Sequence, residues 1–275
     1  MKVIFAKNIG FCSGVKRAVS IAKKSVKEDP KPIQFLGSLV HNEKVIERFR
    51  KKGVKFVVSP KQAISGTLII QAHGFPPLSE EIKKRLLIRD ATCPLVKKAQ
   101  VLANFLYQKD YQIIIVGDKN HAETKGIKGY IDNKATIVEN ENQAKKLPKF
   151  KKIGIVAQTT QGIEKFNQII KILKSKTNEI KWFNTICPEV NARQKELNEI
   201  LRISGGILVV GSRSSANTKR LVEKVKKLKK KVFWINSLEE LKNKKLKGIS
   251  TLGVVFGTST PDWEIEKIKK YLEKI

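Results

Sequence analysis

Three single cysteines, Cys12, Cys93 and Cys187, are the only thiols in this chain of 275 residues. Each stands between a short apolar run and an amphipathic stretch, in the strings NIGFCSGV, DATCPLV and NTICPEV. A lone intracellular cysteine is most often a small buried hydrophobe. Three in matching surroundings, each with a valine three residues on, are a repeat. The intervals of 81 and 94 residues are too long for a local metal loop and suit one α/β unit each. Pro94 and Pro188 are typical first-turn residues, so each thiol is expected at a helix start, where the dipole favours thiolate. Zinc cysteines usually come in close pairs, which are absent here. Three isolated thiolates around an axis match a cuboidal iron–sulfur cluster with one open iron site.

The remaining chemistry lies on strand tips, where ligands of open α/β sheets bind. All three histidines, His41, His73 and His121, occupy such tips. Beside them stand Asn42, Glu123, Thr159, Thr160, Ser214, Ser215, Asn217 and Ser259. Histidine, hydroxyl and amide donors suit an anion with several oxygens, such as a diphosphate. Glycines at 74, 211 and 257 are expected to bring backbone N–H groups to it. Glu123 is the one carboxylate of the group and the natural general acid.

These tips need elements to carry them. The pattern of apolar strand, polar tip and amphipathic helix recurs along the chain. Strands are read at VIFA, IQFL, KFVV and LIIQ, then LLIRDA, IIIV, ATIV and IGIVA, then IKWF, ILVV, VFWI and LGVVF. The fold class is α/β, with three pseudo-equivalent lobes expected at 1–95 (Cys12, His41, His73), 96–187 (His121, Glu123, Thr159) and 188–275 (Ser215, Asn217, Ser259). The first strand of each third leads to its cysteine. No proline-rich or glycine/serine-rich linker separates the thirds, so tight packing is expected.

Hydrophobic content of 41% supports a real core. No apolar run nears membrane length, and Lys7 ends the first one too early for a signal peptide, so a cytoplasmic protein without a membrane partner is expected. Sparse cysteines fit reduced thiols in that compartment. The net charge of +31 attracts anions of any kind. Aromatics are few and no nucleic-acid motif accompanies the lysines, so this reading sets nucleic acid aside as a partner.

Taken in order, GFCSGVKRA, LVHN, QAHG, DATCPLV, HAE, QTT, ICPEVNARQ, SSANT and GTSTPD resemble the 4-hydroxy-3-methylbut-2-enyl diphosphate reductase family. The resemblance spans about Asn8 to Asp262. It implies three lobes arranged as a trefoil around a central four-iron four-sulfur cluster, held by Cys12, Cys93 and Cys187 with one open iron. It implies that His41, His73, His121, Ser215, Asn217 and Ser259 bind the diphosphate. Thr159 would position the substrate hydroxyl, and Glu123, with His121 beside it, would lead the proton relay. The electron donor would be an acidic carrier such as ferredoxin or flavodoxin. Two departures stand out: Ala216 replaces the second serine of the family's serine pair, and alanine stands in the middle of HAE. A quinolinate-synthase-like lyase shares the three-cysteine logic and is the alternative, with a basic RNA-binding protein as the reading from a different class.

Overall fold

The computed structural model describes every residue except those at 245, 247 and 275. Among the described residues there are twelve strands in three four-stranded sheets, all parallel. They are β1 (Lys2–Phe5), β2 (Ile33–Leu36), β3 (Lys55–Val57), β4 (Thr67–Ile70), β5 (Leu87–Asp90) and β6 (Gln112–Val116). Then follow β7 (Ala135–Val138), β8 (Phe150–Ala157), β9 (Thr177–Trp182), β10 (Gly206–Val210), β11 (Lys231–Ile235) and β12 (Thr251–Phe256). Each coincides with a run read from the sequence. The reason is physical: the inner strand of a helix-covered parallel sheet is buried on both faces and reads as an unbroken apolar string. Ile113 to Val116 are fully buried, as are Ile207 to Val210.

The sheet orders are β3-β2-β4-β5, β7-β6-β8-β9 and β11-β10-β12-β1. They are the same order three times, with β1 taking the last place in the third sheet through its pairing from Lys2↔Thr251 to Phe5↔Val254. This corrects the sequence grouping. The strand that leads to a cysteine is the last of the preceding sheet, not the first of its own third. Only pairing across the sheet, which apolar periodicity does not encode, shows it.

The chain divides into two compact units. One comprises Met1–Lys16, His41–Arg48 and Pro188–Ile275; the other comprises Arg17–Val40 and Phe49–Cys187. The first holds the β11-β10-β12-β1 sheet, with a core around Leu208, Val254, Phe256, Ile265 and Ile268 on one face and Leu197, Val209, Leu221 and Val225 on the other. The second holds the other two sheets. There Phe166, Ile169, Ile170 and Leu173 form the buried stripe of the helix Ile163–Lys174, packed on Ile114, Val116 and Ile155. Among the described residues, no helix is long and apolar enough to cross a membrane.

Candidate functional site

Each cysteine immediately precedes a helix: Ser13–Glu28, Pro94–Tyr107 or Pro188–Ile203. Each also uses its N–H in the same way. The Cys12 N–H donates to the Thr258 carbonyl at 3.0 Å, that of Cys93 to Ala72 at 2.9 Å and that of Cys187 to Thr159 at 2.9 Å. Every acceptor lies two residues beyond the end of β12, β4 or β8. The three loops are therefore equivalent in backbone as well as in sequence. None of the three thiols is in a disulfide; Cys187 is buried and the others half-buried. Each thiol thus stands at a helix start, where the dipole favours the thiolate form that binds metal.

The first unit carries the hydroxyl and amide tips. Ser215 caps the helix Ala216–Lys227, its Oγ accepting from the Thr218 N–H at 3.3 Å. Asn217, in the first turn, is 1% exposed, and among the described residues neither amide atom has a hydrogen-bond partner. A buried amide left so costs about 1–3 kcal/mol. It fits a ligand rich in oxygens. The Ser259 Oγ donates to the His41 carbonyl at 2.9 Å, joining the β12 tip to the tip that carries His41 and Asn42. Burial holds the His41 imidazole below its usual pKa, against an opposing pull from Glu43.

The second unit carries His73, His121, Glu123 and Thr159 together with Cys93 and Cys187. The His73 and His121 rings meet edge to face at 5.4 Å. His121 caps the helix Ala122–Gly129, its Nδ1 accepting from the Glu123 N–H at 3.2 Å. The Glu123 carboxyl is 1% exposed. It accepts from the Thr159 N–H at 2.6 Å and from the Thr159 hydroxyl at 3.0 Å. Burial pushes its pKa up from 4.5 to about 7, although both hydrogen bonds from Thr159 work the other way. A carboxyl poised there can hold a proton at neutral pH and release it. One loop thus connects the acid to a thiol, since the Thr159 carbonyl takes the Cys187 N–H.

The N–H groups of Gly74, Gly211 and Gly257 themselves donate to the carbonyls of Gln71, Ile235 and Val210. These glycines also allow close packing. A Cβ at 257 would lie 2.2 Å from the Thr218 hydroxyl and one at 211 would lie 2.6 Å from it, while one at 74 would meet the Gln100 amide at 2.6 Å.

Ser214 does not stand in for the hydroxyl missing at Ala216. It donates to Glu43 at 2.9 Å, alongside Ser212 at 2.7 Å and Asn236 at 3.1 Å. Those donors outweigh the partial burial of Glu43 and hold its pKa below the usual value. No sequence signal pointed to Glu43, because its partners lie about 170 and 190 residues away.

A family model described as LytB protein matches residues 3–273. A protein of Dictyoglomus turgidum named 4-hydroxy-3-methylbut-2-enyl diphosphate reductase is 42% identical over 280 residues, covering 100% of this chain and 97% of its own. One of the same name from Geotalea uraniireducens is 39% identical over 277 residues, covering 100% and 98%. Among solved structures, the E-1-hydroxy-2-methyl-but-2-enyl-4-diphosphate reductase of Plasmodium falciparum matches with a TM-score of 0.91 and 33% identity, over 98% of this chain and 87% of that one. The chain belongs to the LytB family, which sets aside the quinolinate-synthase-like and RNA-binding alternatives.

Proposed function

We propose that this LytB-family chain reduces (E)-4-hydroxy-3-methylbut-2-enyl diphosphate to isopentenyl and dimethylallyl diphosphate. The allylic C–O bond breaks, the oxygen leaves as water, and two electrons and two protons are taken up. The observation that carries the reading is the equivalence of the three cysteine loops, each thiol at a helix start with its N–H on a strand-tip carbonyl.

Cys12, Cys93 and Cys187 would hold a four-iron four-sulfur cluster with one open iron. Bound there, the cluster supplies electrons that no side chain can, and a Lewis acid for the leaving oxygen. The chain does the rest. His41, His73, His121, Ser215, Asn217 and Ser259 anchor the diphosphate and so fix the reacting end. Thr159 orients the substrate hydroxyl. Glu123, kept partly protonated at neutral pH by burial, delivers the proton. An acidic electron carrier such as ferredoxin or flavodoxin would be drawn to a chain of net charge +31.

The test is the iron and acid-labile sulfide content of protein purified without oxygen, then oxidation of a reduced dye on adding the hydroxymethylbutenyl diphosphate. About four of each per chain, with substrate-dependent oxidation, supports the reading. No iron after anaerobic reconstitution, or zinc in its place, overturns it.

A further inference from the structure

The loop that carries Cys12 is gripped by one face of the helix Pro188–Ile203. Glu189, Arg193 and Glu196 stand at spacings of four and three, so they share a side of that helix. Together they meet the loop's backbone groups in sequence. Glu196 accepts from the N–H groups of Lys7 and Asn8, and from the Asn8 amide at 2.8 Å. Arg193 donates to the carbonyls of Ile9 at 3.4 Å and Gly10 at 2.8 Å, and to Phe256 at the end of β12 at 2.9 Å. Glu189 accepts the N–H of Ser13 at 3.0 Å and also its hydroxyl. An acid, a base and an acid thus meet N–H, C=O and N–H on the two sides of Cys12.

Among the described residues, the other two cysteine loops are held differently. Near Cys93, Arg17 donates to the carbonyls of Asp90 at 3.3 Å and Thr92 at 3.0 Å. Near Cys187, Asn184 accepts from the Ile186 N–H, and Thr185 pairs with Ala157 at the end of β8. Cys12 follows the four-residue edge strand β1, which among the described residues pairs with β12 alone. Gly10, at φ +73°, supplies the bend, and a Cβ there would meet the Asp262 carboxylate at 2.4 Å. Arg193 is 6% exposed, so its buried charge depends on hydrogen bonds of this kind.

We propose that Glu189, Arg193 and Glu196 form a clamp that positions Cys12 as a ligand by holding the backbone on both sides of it. The proposal rests on the cluster reading, and Arg193 is its central positioning residue.

The test compares the three thiols within one molecule. Anaerobically purified protein is treated with iodoacetamide, and the rate at each cysteine is read by mass spectrometry, in wild type and in Arg193→Gln. Loss of the charged hydrogen bonds should speed alkylation of Cys12 by about tenfold, while Cys93 and Cys187 stay within about twofold. Arg193→Lys, which keeps the charge and one donor, should fall between. Equal acceleration at all three thiols would show a general structural role and overturn the proposal, as would an unchanged Cys12. If Arg193→Gln does not fold, Glu196→Gln, which touches only the Lys7–Asn8 end, takes its place under the same criterion. Wild-type protein without iron would remove the cluster reading, while the alkylation pattern would still decide whether the clamp holds the Cys12 loop.

Discussion

Two helix starts occupy equivalent places in two of the three sheets and carry different side chains. After β6, His121 caps the helix Ala122–Gly129, and its second residue is Glu123. After β10, Ser215 caps the helix Ala216–Lys227, and its second residue is Asn217. Both second residues are 1% exposed. One is a carboxyl closed onto the Thr159 N–H and hydroxyl. The other is an amide with no partner among the described residues. Under the proposed function, the same frame would give a proton store where a carboxyl is buried against a threonine, and a donor for an anion where an amide is left open. The fold sets the position, and one side chain sets the role.

Making the two alike should break the comparison most severely at the acid. Glu123→Gln keeps the shape and an acceptor for the Thr159 N–H but cannot release a proton. Turnover should fall by about a thousandfold, with iron content unchanged and KM within a few-fold, measured by dye oxidation beside iron analysis. Turnover close to wild type would remove Glu123 from the proton relay. The converse exchange, Asn217→Asp, sets a carboxylate where the diphosphate is expected. Like charges should raise KM about a hundredfold with a much smaller change in kcat, and an unchanged KM would take Asn217 out of diphosphate binding.

Thr159→Val sharpens the contrast by altering only what Glu123 rests against. The variant keeps the N–H contact and loses the hydroxyl, which now holds the carboxyl's pKa down. The pKa should therefore rise further, moving the alkaline limb of the kcat/KM profile to higher pH. Turnover should fall about tenfold as the hydroxyl's placement of substrate is lost. A limb that stays in place would show that it belongs to another group.

The inner strands were legible because they are buried runs, the more exposed ones such as β5 and β9 as short apolar strings, and all three thiols because their surroundings repeat. His121, Glu123 and Thr159 were legible as tip residues, but their contact was not, because the hydrogen bonds join positions 36 residues apart across two strands. The pairing of β1 with β12 was hidden for the same reason, its partners lying some 250 positions apart. A glycine beside a strand tip looks the same in sequence whether its own N–H faces a ligand or, as at 74, 211 and 257, a neighbouring carbonyl. The clamp on Cys12 left a trace, since Glu189, Arg193 and Glu196 lie at helical spacing directly after a cysteine. What they grip is near the other end of the chain, so spacing alone could not name it.

The smallest effect concerns stability, and its sign separates the two helix starts. An ordinary glutamate ionises near 4.5, whereas buried Glu123 does so at about 7. Between those values the folded chain holds a proton that the unfolded chain has released. This contribution is therefore fully present below pH 4.5, is lost as pH rises towards 7, and is flat above that. Glu123→Gln does not titrate. Its melting temperature should match wild type near pH 4 and exceed it at pH 8, with a ceiling of about 3 kcal/mol from the shift. The matching change at the other helix start, Asn217→Ala, involves no titrating group, so its offset from wild type should not vary between those pH values. If Glu123→Gln were instead the less stable protein at pH 8 and equal to wild type at pH 4, the carboxylate would be the form the fold favours. Glu123 would then hold no proton at neutral pH, and the two helix starts would not differ in the way their surroundings imply.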